Sequence, residues 1–216
     1  MKQALYRKEY LPFYVLYSLF LLLGGIFLLS YSREDSHLIL NQFFYTPFHH
    51  FFQTITYLGD GLIPVVLVFI ALFSNYKMAI QVALTSILAG GATQLLKNYV
   101  FDEVNRPSFH FKYFSENSIQ TIEGMDLNIH NSFPSGHTTT AFAVYVSLLL
   151  LARNTKLTFA FAMVALLAGY SRVYLSEHFF IDIYAGSLMG TFWALVVFAF
   201  LNINEKSWFS KSLLRR

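Results

Sequence analysis

The chain has 216 residues, of which 56% are hydrophobic and only 12% are charged. A soluble domain of this size needs a surface of mixed charges, so the composition excludes an ordinary soluble protein and predicts one surrounded by lipid. The net charge of +3 comes from scattered lysines and arginines, and there are no cysteines; this argues against nucleic-acid binding, disulfides, zinc-thiolate sites and thiol catalysis.

Six apolar segments approach the length that a membrane-spanning helix needs, which is about 20 residues. The first follows basic residues as a signal peptide would, but it is too long for one and has no small-residue cleavage site, so it predicts a retained span. The second is the weakest, because Gly59-Asp60-Gly61 interrupts it. The segments are Leu11–Ser30, 56–74, 78–97, 137–152, 157–175 and 181–201.

Residues 34–52, between the first two segments, mix polar and aromatic side chains. This mixture is typical of structure that lies in the membrane interface. We find no internal repeat, so an inverted-repeat transporter gains no support. The sequence therefore predicts an all-α, polytopic membrane protein. It is a single domain over residues 1–216, a bundle of six transmembrane helices with an interfacial segment between spans 1 and 2.

The basic residues divide unequally between the two sides of this bundle, and the richer side is expected to be cytoplasmic. Both termini fall on that side, which predicts an integral protein of the cytoplasmic membrane. The poorer, outer side has five basic residues: Arg33, Lys97, Arg106, Lys112 and Arg172. The richer side has ten: Lys2, Arg7, Lys8, Lys77, Arg153, Lys156, Lys206, Lys211, Arg215 and Arg216.

Three short motifs stand at the outer ends of the predicted spans. Cations near the hydrocarbon boundary are costly unless they are paired or hydrated, so a cluster of them predicts an anionic ligand, for which phosphate is the natural candidate. The motifs are Lys97 with Arg106-Pro107, then Pro134-Ser135-Gly136-His137, then Ser171-Arg172 with His178 and Asp182.

The residue types in these motifs suit a phosphoryl group. Arg106 and Arg172 each offer a planar fork that can bind two oxygens at once. Ser135 and Gly136 precede the fourth span, where free backbone N–H groups and the positive end of a helix can hold an anion. The absence of a side chain at Gly136 allows the oxygens to come close.

Two histidines can divide the chemistry. His178 and Asp182 are four residues apart, so on a helix the carboxylate would orient the imidazole, making His178 the nucleophile. His137 would then donate a proton to the departing oxygen. The arginines, the lysine and the helix end neutralise the developing charge, so this chemistry requires no metal and no other cofactor.

These motifs resemble the three-part signature of the type 2 phosphatidic acid phosphatase (PAP2) superfamily, in its integral-membrane lipid phosphatase branch. The resemblance covers residues 97–182 and implies a phosphohistidine at His178, an acid at His137, and phosphate binding by Lys97, Arg106, Ser135, Gly136 and Arg172. One part departs from the signature. Eight residues separate Lys97 from Arg106 where six are usual, and Tyr99 stands at the usual position.

The expected activity is hydrolysis of a lipid monophosphate or diphosphate at the outer leaflet. The expected partners are this substrate and membrane lipids, without nucleic acid; the oligomeric state is left open. The substrates considered are undecaprenyl diphosphate, phosphatidylglycerol phosphate, phosphatidic acid and the phosphates of lipid A. Lipid-to-lipid phosphotransfer is an alternative, as is an anion channel or transporter that uses the same cations without covalent chemistry.

Three further features have two interpretations each. Glu177 either tunes the adjacent His178 or faces water. The long connector 101–133 either contacts a substrate or anchors at the interface. The remaining histidines are better explained as solvated or interfacial side chains than as a metal site, because no spacing joins them to a carboxylate. They are His37, His49, His50, His110 and His130.

Overall fold

The structure, a computed structural model, describes residues 7–215. Within this range the regular structure is entirely helical, which confirms the predicted all-α class. Lys2 and Arg216, two of the ten basic residues used for the orientation, lie outside the described residues. The α-helices are α1 (Leu11–Ser30), α2 (Arg33–Asn41), α3 (His49–Ile55), α4 (Leu62–Leu72), α5 (Tyr76–Tyr99), α6 (Pro107–Tyr113), α7 (Gly136–Ala152), α8 (Thr155–Tyr174) and α9 (Phe180–Ile203).

Four of these helices, α1, α5, α8 and α9, are long and apolar enough to cross a membrane, so the chain is an integral membrane protein. A fifth crossing is possible if Thr46–Gly59 and Leu62–Leu72 form one span, although they are bent by 57° relative to each other. The predicted span 137–152 corresponds to α7, which is apolar but has only 17 residues.

The predicted second span, 56–74, differs in the structure. Its first residues, Thr56–Gly59, form a 3-10 helix that continues α3, and the chain turns at Asp60 before α4 begins. The Asp60 carboxylate accepts a hydrogen bond of 2.8 Å from the backbone N–H of Leu62. A Cβ on Gly59 would lie 2.6 Å from the carbonyl oxygen of His137, so only glycine allows this turn to approach α7 so closely.

The α7 helix forms the centre of the bundle. It packs against α5, α8 and α9, and 12 of its 17 residues are buried. Glycines on α9 make the closest approach possible: a Cβ at Gly190 would lie 2.4 Å from the carbonyl oxygen of Thr139, and one at Gly186 would lie 2.8 Å from that of Ser135. These glycines therefore allow the close helix packing that stabilises helical bundles in lipid.

The connector 101–133 folds back along itself and contains the short helix α6. Backbone hydrogen bonds of 2.9 Å join Arg106 to Ile129 and Ser132 to Val104. It also contacts α2, because the carboxylate of Glu34 accepts hydrogen bonds from Ser115 and Asn117. The connector is therefore an ordered cover over one end of the bundle. The interfacial position predicted for residues 34–52 stays a prediction.

Candidate active site

The eight predicted site residues come from four helices and two connectors, and their contacts bring them to one end of the bundle. No single local segment could build this arrangement. Lys97 is in the last turn of α5, Arg106 just precedes α6, Ser135 just precedes α7, Gly136 and His137 are in the first turn of α7, Arg172 is in the last turn of α8, His178 lies between α8 and α9, and Asp182 is in the first turn of α9.

His178 and Asp182 form a buried pair. The Nδ1 atom of His178 lies 3.3 Å from Oδ2 of Asp182, and the two residues are 1% and 0% exposed. The same Oδ2 accepts hydrogen bonds from the Ser132 hydroxyl at 2.5 Å and from the Phe179 backbone N–H at 3.0 Å. The pair therefore forms by a different route from the one predicted, because α9 begins after His178. Asp182 reaches back to cap its own helix, and this brings its carboxylate to the histidine.

His178 is surrounded by positive charge as well as buried. Burial lowers its pKa well below the usual range, and the nearby charges of Arg106, Arg172, Lys97 and His137 lower it further. The imidazole is therefore neutral at pH 7. With the Nδ1 proton directed toward Asp182, the lone pair of Nε2 is free for attack.

Glu177 lies between the two arginines. Its Oε2 accepts a hydrogen bond from Nη1 of Arg106 and is 3.5 Å from Nη2 of Arg172, and the residue is 3% exposed. The Arg172 Nη1 atom donates to the Thr56 hydroxyl at 2.7 Å, while the buried Nε of Arg172 has no partner among the described residues. Of the two interpretations of Glu177, the structure excludes the water-facing one.

Lys97 reaches the same region despite its unusual spacing. Its Nζ donates to the carbonyl oxygen of Asn131 at 2.5 Å, and the residue is 7% exposed. Tyr99, at the usual spacing, is 80% exposed. The His130 carbonyl accepts a hydrogen bond from Nε of Arg106 at 2.9 Å, so the connector fixes both cations through backbone oxygens.

The start of α7 is capped by Ser135. Its hydroxyl accepts hydrogen bonds from the backbone N–H and the hydroxyl of Thr138, and its own N–H donates to the Asp182 carbonyl at 3.0 Å. These groups are engaged within the protein, so the N–H groups of Gly136 and His137 are the ones left for an anion. A Cβ at Gly136 would meet nothing within 4 Å, so space lies in front of this helix end.

His137 faces a cavity of about 540 Å³, whose wall also includes Asp60, Arg172, Glu177 and His50. The Nε2 atom of His137 lies 3.8 Å from Oδ2 of Asp60. The contact joins the bend before α4 to the first turn of α7, and it places a carboxylate beside the imidazole that the sequence predicts as the proton donor.

Sequence reasoning missed five residues that contact the site. Asp60 had a signal, a charged residue within an apolar segment, but this was interpreted only as an interruption of the span. The others had no local signal, because they become neighbours of the motifs only in three dimensions. They are Thr56, Asn128, Asn131 and Ser132.

The remaining histidines have separate surroundings. His37 is fully buried, and burial lowers its pKa to about 4. His110 lies 3.0 Å from the carboxylate of Glu34. In residues 7–215, no three His, Asp or Glu side chains gather as a group that could hold a metal ion. His49 packs on Phe44, His50 lines the cavity, and His130 lies 3.0 Å from Asn105.

Fold and site together define a helical integral membrane protein with a buried histidine–carboxylate pair among three cations. A family model described as the PAP2 superfamily matches residues 78–206, more than half of the chain. The chain therefore belongs to the PAP2 superfamily, and the resemblance drawn from the motifs is confirmed.

One relative is similar in sequence over a short region. Undecaprenyl-diphosphatase BcrC of Bacillus subtilis (strain 168) is 40% identical over 58 residues, which is 27% of this chain and 28% of BcrC. The match therefore spans less than a third of either protein.

Two solved structures are similar over most of their length. Aquifex aeolicus LpxE has a TM-score of 0.66 and 22% identity, covering 76% of this chain and 93% of LpxE. The transmembrane PAP2 type phosphatidylglycerolphosphate phosphatase of Bacillus subtilis has a TM-score of 0.55 and 22% identity, covering 90% of this chain and 98% of that one. At this level of identity, the likeness concerns the fold.

Proposed function

We propose that the chain is a membrane phosphatase that hydrolyses a lipid phosphate through a phosphohistidine. The observation that carries the proposal is the position of His178, a neutral buried imidazole that is oriented by Asp182 through one nitrogen and surrounded by Arg106, Arg172 and Lys97. A neutral nucleophile next to fixed cations is what attack on a phosphoryl group requires.

In the first step, Nε2 of His178 attacks phosphorus. The N–P bond forms as the bond from phosphorus to the lipid oxygen breaks, and His137 gives that oxygen a proton. In the second step His137 takes a proton from water, the water oxygen attacks phosphorus, and the N–P bond breaks to release phosphate. Arg106, Arg172 and Lys97 hold the phosphoryl oxygens together with the first amides of α7, where Gly136 allows close approach.

We further propose that the reaction proceeds without a metal, since three cations and a helix end supply the positive charge that a metal would provide. Phosphate release in detergent with excess chelator tests this directly. Activity that disappears on chelation and returns with a divalent metal would refute it.

The names of the similar proteins guide the choice of substrate. Undecaprenyl diphosphate is the first candidate because the similar stretch of BcrC belongs to an undecaprenyl-diphosphatase. Phosphatidylglycerol phosphate comes next because one structural neighbour is a phosphatidylglycerolphosphate phosphatase. Phosphatidic acid and the phosphates of lipid A present the same chemical group. Mass spectrometry of total lipids from cells with and without the protein would identify the lipid that accumulates.

We also propose that the chain crosses the membrane six times as one domain, with α7 and the bent pair each counted as a crossing. Both termini would be cytoplasmic, and the site would open on the outer side of the membrane. Since the chain has no cysteine, single cysteines introduced at Ser115 and Ser210 can be labelled with an impermeant thiol reagent on intact cells. Labelling at Ser115 alone is expected, and labelling at Ser210 alone would refute this orientation.

The decisive activity test compares His178→Ala with His130→Ala. The second variant removes an imidazole that contacts Asn105 and Phe109, and it keeps the backbone carbonyl that accepts from Arg106. Phosphate release is expected to disappear in the first variant and to remain in the second. A channel or transporter would instead keep its flux in His178→Ala. Acid-labile ³²P on the wild-type protein, absent from His178→Ala, would support the covalent intermediate.

A further inference from the structure

Glu177 is a buried acid within a group of cations that the proposed function assigns to phosphate. A single oxygen of its carboxylate, Oε2, contacts both Arg106 and Arg172 and also lies 3.4 Å from Nδ2 of Asn128. The chain thus places an anion of its own between the two guanidinium groups.

A carboxylate oxygen and a phosphoryl oxygen are alike in charge and in the hydrogen bonds they accept, and guanidinium groups bind both. The Oε2 atom therefore takes the position of a phosphoryl oxygen. Glu177 lines the cavity of about 540 Å³ together with His137 and Arg172, whereas His178 and Arg106 are not part of its wall. Glu177 thus borders the cavity, and the buried nucleophile His178 follows it directly in the chain.

The backbone allows the side chain to move alone. The N–H groups of Glu177 and His178 both donate to the carbonyl oxygen of Arg172 at 3.0 Å, which fixes the two residues relative to α8. Rotation about the side-chain bonds of Glu177 can carry the carboxylate into the adjoining cavity, and His178 does not need to shift.

We infer that Glu177 is a specificity-determining residue whose carboxylate occupies the phosphate position in the empty protein and is displaced by the substrate. This inference rests on the proposed phosphatase function. Substrate binding then replaces one anion at the arginines by another. A small anion therefore obtains little net binding free energy from its contacts with the arginines. A lipid phosphate has additional binding energy from its acyl chains and can displace the carboxylate. Glu177 would thereby select lipid-bound phosphate over free phosphate, including the released product.

The test is the affinity of the purified full chain in detergent for inorganic phosphate, measured by titration calorimetry. If the carboxylate holds the site about nine-tenths of the time, its removal makes a free site about tenfold more common and lowers the apparent Kd by the same factor. Glu177→Gln, which keeps the shape and loses the charge, is expected to bind phosphate about tenfold more tightly than the wild type. Product inhibition of dioctanoyl phosphatidic acid hydrolysis should strengthen in parallel.

Glu205→Gln is the matched control, because Glu205 is 67% exposed and pairs with Lys77 at 3.1 Å. Phosphate affinity should not change in this variant. Unchanged or weaker phosphate binding in Glu177→Gln would overturn the inference and would mean that the carboxylate holds the arginines in place for the substrate.

Glu177→Asp provides a second test of phosphate affinity if the Gln variant does not fold. Its carboxylate is one methylene shorter and cannot reach both arginines as Glu177 does, so tighter phosphate binding is again expected. Failure of the proposed function would look different, since the wild type would then release no phosphate from any lipid phosphate. Calorimetry measures phosphate binding, so the comparison of the variants does not depend on turnover.

Discussion

Replacing Asp182 by Asn tests how the proposed nucleophile is supported. The Asn side chain has nearly the same shape and keeps a carbonyl oxygen that can accept from the backbone of Phe179, so α9 should keep its cap. What disappears is the negative charge 3.3 Å from the imidazole of His178. That charge matters most when the imidazole becomes positive on attacking phosphorus.

The size of the effect follows from the distance. Two unit charges 3.3 Å apart interact by about 5 kcal/mol at the effective dielectric constant of about 20 that suits protein sites. Because Asn keeps a neutral hydrogen bond, we expect a loss of about 3–4 kcal/mol. This corresponds to a fall in kcat of about 10²- to 10³-fold.

The assay is the initial rate of phosphate release from a lipid phosphate in detergent, over a range of substrate concentrations. KM should change little, because the charge acts on the transition state. Ser132→Ala is the matched variant: it removes a hydrogen bond of 2.5 Å to the same carboxylate but leaves the charge, so its kcat should fall by only about tenfold or less. A folded Asp182→Asn protein with kcat within tenfold of the wild type would refute the reasoning.

Three further predictions concern a carboxylate, a helix contact and a titration. Asp60→Asn keeps the acceptor for the turn but removes a half-exposed charge 3.8 Å from His137, so kcat should fall about tenfold; an unchanged kcat would exclude a role for Asp60. Gly190→Leu forces a side chain into the backbone of α7 and should abolish the folded protein, as measured by thermal melting in detergent. Gly91→Leu is the control, because a Cβ at Gly91 meets nothing within 4 Å, and it should melt like the wild type. Because burial lowers the pKa of His178 well below 6.5 in the free protein, its imidazole stays neutral as the pH falls through 6.5, and kcat/KM should decline only in more acid solution. An acid limb of kcat/KM that is assigned to His178 and has its midpoint at or above pH 6.5 would contradict this.

Much of the site was predictable because the motifs are short. The motif Pro134-Ser135-Gly136-His137 predicts the start of a helix with a histidine in its first turn, and in the structure α7 begins at Gly136. Arg172 and His178 are likewise close in the chain, so few backbone paths connect them.

The bend within the predicted second span could not be derived from hydropathy. Hydropathy averages over a window, so segment 56–74 is counted as one apolar run although Asp60 lies near its start. One helical segment ends at Gly59 and the next begins at Leu62. The backbone turns between them, where the Asp60 carboxylate accepts a hydrogen bond from the N–H of Leu62. That turn brings Asp60 next to His137.

The sequence by itself predicted the lipid surroundings, the all-helical class, the family and the candidate site residues, because each of these depends on composition or on spacing within a few residues. Only the tertiary structure decided what surrounds those residues. Three contacts depend on how the helices pack. They are the hydrogen bond from Arg172 to Thr56, the hydrogen bond from Ser132 to Asp182, and the position of the Glu177 carboxylate between two arginines. Contacts between residues 50 to more than 100 positions apart leave no periodic trace in a single sequence, since they arise from the way the helices pack and not from any local preference.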